Sequence, residues 1–168
     1  MALTTLGEVK AQGNINPLDT SRDTQIKSLI NGITDLVKQT LRRDIESTQY
    51  TEYYSGDNSS VLLLNQYPII SVSRVCLDDN AYFGQESGAF PASGDLVQGT
   101  DYAIMSGTKG VGSSGMLRRI NQVWYRYPTV APGKVALQTS APPGNILVTY
   151  TAGFSPVPFG IKFAVNAS

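Results

Sequence analysis

Hydrophobic residues in the first third of the chain recur at helical spacing. Ile26, Leu29, Ile30, Ile33, Leu36, Val37, Leu41 and Ile45 follow an i, i+3, i+4, i+7 rhythm, while Gln25, Lys27, Thr34, Asp35, Lys38, Arg42 and Arg43 mostly take the opposite arc. Such a stripe predicts one long amphipathic helix with a single apolar face, serving as core or, in an assembly, shared with a neighbour. Its start is signalled by Thr20-Ser21-Arg22-Asp23, which sets acidic groups at the positive end of the helix dipole. Gly32 is a soft point inside it, costing ~1 kcal/mol relative to Ala. A short helix comes first: Thr5-Leu6-Gly7-Glu8 fits a capping box, and Gly13 and Pro17 close the element after about Gln12.

From Thr48 onward the pattern changes to short runs of Tyr, Val, Ile and Thr between Gly, Pro, Asn and Asp clusters, which predicts successive antiparallel strands. They fall at Thr48 to Tyr54, Val61 to Leu64, Ile69 to Leu77, Tyr102 to Met105, Leu117 to Tyr127, Lys134 to Gln138 and Ile146 to Thr151. Asn80 to Gly99 and Gly107 to Gly115 are Gly/Ser-rich and read as long exposed loops that bind something or order on assembly. The expected fold is α+β: N-terminal helices, one long, packed with a small antiparallel β-sandwich or barrel, with the start of a C-terminal helix at the end. A chain of 168 residues suits one domain, with a helical part over 1–47, a β-rich part over 48–153 and a tail over 154–168.

Composition removes much familiar chemistry. With 0 His and 1 Cys there is no Cys/His zinc site within one chain, no intrachain disulfide and no His-based triad. Cys76, in a strand-like run, reads as a small, semi-buried side chain. No basic, apolar leader and no run of membrane-spanning length is evident, so a cytoplasmically made, membrane-free protein is expected. Net charge is +0, yet residues 1–101 hold all 13 acidic groups and 7 basic ones, giving −6, while the last 67 residues hold only basic charges, giving +6. Either the halves neutralise each other, or they form complementary subunit faces or a basic wall near DNA.

Few motifs carry chemistry. Gly110 to Gly115 matches G-x-G-x-x-G, but a strand rather than a helix is expected next and no acidic residue follows to hold a ribose, so a hairpin tip is the better reading. Asp78-Asp79-Asn80 reads as a turn rather than a cation site. Arg118 to Tyr127 interleaves basic and aromatic groups as single-strand nucleic-acid platforms do. Strand alternation leaves neither face a clean platform, which favours Trp124 as a core or interface anchor flanked by solvated arginines. Lys109, Arg118, Arg119, Trp124, Arg126 and Lys134 are the candidate interface or DNA-channel residues; Ile26, Leu29, Ile30, Ile33, Val37 and Leu41 are the candidate helix core or interface residues. No pairing of carboxylates is singled out for catalysis, and no catalytic, cofactor or metal residue is proposed.

One resemblance organises these features. YTEYYSGDNSSVLLLNQYPIISVSRV, Tyr50 to Val75, with its "YxEYYxG" and "PIxSVxxV" segments, resembles the central portion of head-tail connector (adaptor) proteins of tailed bacteriophages. Thr4 to Lys10 looks like that family's opening "LxxxK" helix, Asp23 to Leu36 like its "DxxIxxLIxxxTxxV" helix, and Ile146 to Phe154 with Pro158 like its "IxVxYxAGxxxxP" strand. The resemblance implies a non-enzymatic virion protein of the neck, assembled in the host cytoplasm. It would form a ring, commonly of twelve subunits, between portal and tail or stopper around the DNA exit channel. No cofactor is implied, and the partners would be like subunits, the portal protein, a stopper or tail-completion protein and, non-specifically, DNA. A stopper or tail-completion ring protein, or a β-sandwich carbohydrate- or receptor-binding module, are the other classes the pattern admits. Relatives continue further than Ser168, and the central loops are long for the family.

Overall fold

In the computed structural model, residues 3–78, 88, 90–125 and 144–158 are described. They hold two α-helices and eight short strands, an α+β arrangement. The chain divides into two compact units, one formed by Met1–Ser47 with Gly153–Ser168 and the other by Thr48–Ala152.

In the first unit, helix α1 spans Leu6–Gln12 and opens on the expected capping box: Thr5 Oγ1 accepts from Glu8 N, and Glu8 Oε2 accepts from Thr5 N and from the Thr4 hydroxyl. Helix α2 spans Asp23–Leu41 and ends where Arg42 takes a left-handed conformation, φ 51°. The buried Lys10 ties one helix to the other. Its Nζ pairs with Asp23 Oδ1 at 2.5 Å and donates to the carbonyl of Asp19 at 2.7 Å, so the charge leaves water only with partners in place.

The long apolar stripe is buried over a narrower arc than its pattern predicts. Ile30 and Thr34 are buried, and Ile33 and Val37 pack against a small core of Leu3 and Ile45, joined by Phe154 and Val157. Leu29, Leu36 and Leu41 are exposed, at 64%, 62% and 45%, and Ile26 is half-buried. At about 100° per residue, Leu29 and Leu36 sit on one flank of the Ile30 line, and nothing described in this small unit extends over that flank. Thr34, placed on the polar arc by pattern alone, turns inward to accept a hydrogen bond from Leu3 N. Residues 154–158 form no helix, and the expected C-terminal helix start at Phe159 to Ser168 lies outside the described residues.

In the second unit, β1 (Thr48–Tyr54), β8 (Ile146–Ala152) and β3 (Ile69–Leu77) form one antiparallel sheet in the order β1–β8–β3. β2 (Val61–Leu63), β7 (Met116–Arg119) and β4 (Tyr102–Ile104) form another, in the order β2–β7–β4, and β5 (Ser106–Gly107) pairs with β6 (Gly110–Val111) as a small hairpin. Leu62, Leu64, Tyr102 and Leu117 join Val75, Ile146, Val148 and Tyr150 in one core, so both three-stranded sheets feed the same interior. No barrel closes among the described residues.

Two sequence expectations change here, and a third falls outside the described residues. The strand foreseen from Leu117 to Tyr127 ends at Arg119, because Asn121 takes a left-handed φ of 55° that ends the ladder. The strand expected at Lys134 to Gln138 lies outside the described residues, as do residues 79–87 and 89 of the first long loop. The segment Gly107 to Gly115 is not an open loop: its hairpin is pinned at the base by Ile69 N donating to Gly112 O and Gly112 N donating to Met105 O. Gly112 has φ +79°, and a Cβ there would stand 2.1 Å from Ile69 O, so glycine is required for a close backbone crossing. Gly110 and Gly115 also take positive φ, +109° and +69°, so the G-x-G-x-x-G glycines serve the backbone turns of this segment.

Candidate interaction surfaces

β7 is the central strand of its sheet, and its alternation decides the fate of the two arginines. Leu117 is fully buried, Arg118 points to solvent, and Arg119, two residues on from Leu117, is only 5% exposed. Arg119 donates from Nη2 to Gln122 Oε1 and places its guanidinium 5.5 Å over the ring of Trp124, a cation–π contact inside the fold. Its Nε and Nη1, and Trp124 Nε1, have no hydrogen-bond partner.

Trp124 is 0% exposed and is pinned through its backbone, with its N donating to Ser59 O and its O accepting from Asn58 N. The candidate residues therefore separate. Lys109, at the turn of the β5–β6 hairpin, and Arg118 are surface cations; Arg119 and Trp124 are interior, so the expectation of solvated arginines on both sides is corrected for Arg119. Arg126 and Lys134 lie outside the described residues. Parity with the obligatory core residue Leu117 was the sequence signal for Arg119.

A second cluster was not singled out from sequence. Tyr50, Glu52 and Tyr54 share one face of β1, and Glu52 Oε2 accepts hydrogen bonds from the hydroxyls of Tyr54 and of Tyr150 on β8, the latter at 2.6 Å. The two phenol oxygens in turn accept from Asn65 N and Gln66 N, and Tyr50 stacks on Tyr150 at 5.6 Å. Burial, and then the hydrogen bond to the Glu52 carboxylate, push both phenols well above the ordinary tyrosine range. These groups keep their protons and tie β1, β8 and the turn before β3 into one network. The alternation Tyr-x-Glu-x-Tyr carries the signal, since a carboxylate on an inward strand face needs donors beside it.

The first unit carries an open cleft of about 300 Å³. Leu3, Phe154, Pro156 and Val157 supply apolar walls, and Glu8 and Glu46 supply carboxylates. Cys76 is fully buried, with Sγ 3.3 Å from the Pro91 carbonyl, an interior thiol rather than a semi-buried one. Asp78 is buried, while Asp79 and Asn80 lie outside the described residues.

The division of charge does not follow the division into units. The first unit holds six acidic and seven basic residues, the second seven and six. Within the second, every acidic residue precedes Tyr102 and five of the six basic ones follow it. Among the described residues no group of three His, Cys, Asp or Glu is placed to hold a metal, and no helix is long and apolar enough to cross a membrane. No protein-family model matches the chain, and no curated protein matches it significantly.

Proposed function

We propose that this chain is a structural ring subunit of a bacteriophage neck, an adaptor that joins the portal to the tail or stopper and surrounds the DNA exit channel. Four sequence blocks in the order of the connector family support the reading. The observation that carries it is the open flank of α2. Leu29 and Leu36, two turns apart and both more than 60% exposed, stand beside half-buried Ile33 on a helix whose neighbouring arc is packed. Each large aliphatic side chain gains about 1.5–3 kcal/mol when removed from water, and a contiguous apolar face of this kind suits contact with another protein. The chemistry on offer suits assembly better than turnover: there is no His, and the tyrosines of the polar cluster hold their protons. Of the candidate interface cations, Lys109 and Arg118 are exposed and open to a neighbour or to channel DNA.

Light scattering and electron microscopy of the purified chain, alone and with purified portal, test the proposal. A closed multimer of about twelve subunits that binds portal is expected, and Leu29→Asp with Leu36→Asp should give folded monomers with unchanged circular dichroism. A wild-type chain that stays monomeric both alone and on portal overturns the reading. A ring that binds a neck component but not portal moves the protein to the stopper position.

A further inference from the structure

The cleft of the first unit and the hairpin of the second have complementary chemistry, and we propose that the β5–β6 hairpin of one copy docks into the cleft formed by Leu3, Glu8, Glu46, Phe154 and Val157 of the next. The inference rests on the ring reading and names the contact that would close the ring.

The hairpin is exposed but anchored. Thr108 and Lys109 form its turn, Val111 is 70% exposed, and the backbone bonds of Gly112 to Met105 and Ile69 hold its base. It therefore offers an apolar side chain and a cation two residues apart, with little ordering entropy left to lose on docking. The cleft offers the converse. Its lining is mixed, with Phe154, Pro156 and Val157 among the apolar residues and Glu8 and Glu46 as carboxylates, and its volume of about 300 Å³ is at the small end for ligand pockets. Glu8 Oε2 already accepts from Thr4 and Thr5, and Glu46 lies 4.0 Å from Lys38 Nζ; a carboxylate has room for several donors, so the contact needs only that both groups carry negative charge at the rim of the cleft.

No acidic residue follows Asp101, so Lys109 has no carboxylate within its own segment, and charge complementarity favours the Glu8 and Glu46 cleft as its seat. Tip and cleft are different surfaces, and contacts of that heterologous type generate rings when the rotation closes.

The test is disulfide trapping in the full chain with Thr108→Cys and Ser155→Cys together, since Ser155 lines the cleft and the native Cys76 is buried. Diamide oxidation should give a ladder of covalent multimers on non-reducing gels, collapsed by thiol, only when both cysteines are present. A fast-migrating oxidised monomer would overturn the proposal by showing that the tip reaches its own cleft. Rings of normal mass without a ladder would overturn the contact and leave the ring reading standing; monomers without a ladder would sink both. Charge reversal is the second arm. Lys109→Glu and Glu46→Lys should each weaken assembly about tenfold, and the double variant should recover most of it. Lys109→Glu that lowers DNA binding while leaving assembly unchanged assigns the lysine to the channel and overturns the contact.

Discussion

Replacing Tyr150 by Phe should reveal how much of the second unit is held by the Glu52 cluster. The substitution keeps the ring that packs on Tyr50 but deletes a hydroxyl that donates to Glu52 Oε2 at 2.6 Å and accepts from Gln66 N at 3.1 Å. The bond to an ionised carboxylate contributes about 1.5–3 kcal/mol, and leaving a part-buried amide without its acceptor adds about 1 kcal/mol. A loss of roughly 2–4 kcal/mol is expected. Glu52→Gln retains an acceptor oxygen but not its charge, and neutral bonds are about half as strong, so roughly 1–2 kcal/mol is expected there. Because the two side chains act on each other, the double variant should fall short of the sum by about 1 kcal/mol. Urea unfolding followed by the fluorescence of Trp124, the chain's single and fully buried Trp, reads the unit that contains all three residues. Effects that add to within about 0.3 kcal/mol would refute the claim that carboxylate and phenols form one energetic unit.

The same cluster predicts an alkaline limit. Tyr54 and Tyr150 are raised above the ordinary value of 10.0, first by burial and then by the bond to Glu52, so the folded state keeps protons that the unfolded state releases. Stability is thus fully present below about pH 10 and declines above it, with a slope that starts near half of about 1.4 kcal/mol per pH unit for each phenol at pH 10 and approaches that limit as the unfolded phenol ionises. Urea midpoints between pH 8 and pH 11 should show the decline, and Tyr54→Phe with Tyr150→Phe should make it shallower, leaving the share of Tyr102, which burial also raises; an equally steep decline in that variant would locate the effect elsewhere. At the hairpin base, Gly112→Ala should cost roughly 2–4 kcal/mol, because its Cβ would meet Ile69 O at 2.1 Å in addition to the strain of φ +79°. Gly110→Ala, with φ +109° and open space, should cost about 1–2 kcal/mol; equal urea midpoints for the two variants would refute the clash argument.

The elements most legible in the sequence are those set by local rules. The capping box at Thr5 and Glu8 fixes the start of α1, and alternating β-branched and aromatic runs bounded by turn residues give β1 and β3 their ends at Thr48, Tyr54, Ile69 and Leu77. What the pattern could not supply is how much protein lies against each face. The stripe on α2 is equally apolar at Ile30 and Leu36, yet one is buried and the other open. The same limit hid the cleft, whose walls join residues near 3, 8 and 46 to residues near 155, a closure that depends on where the chain returns after β8.

The basic, aromatic run after Met116 illustrates a different limit. Composition argues that arginines stay in water, whereas strand parity argues that Arg119 must follow Leu117 inward, and parity prevails because the Leu117 face of β7 is packed in the main core. The left-handed residue Asn121 then turns the chain so that Trp124 comes under the guanidinium. A stretch that reads as one mixed surface is thereby sorted into an interior pair that braces the fold and an exterior cation, Arg118, with Lys109 on the nearby hairpin as the other surface charge of this region. Mutations of Arg119 or Trp124 would report on folding before they reported on any neighbour or DNA. Within this region a charge role in assembly is to be sought at Lys109 and Arg118, where a reversal of sign leaves the core untouched.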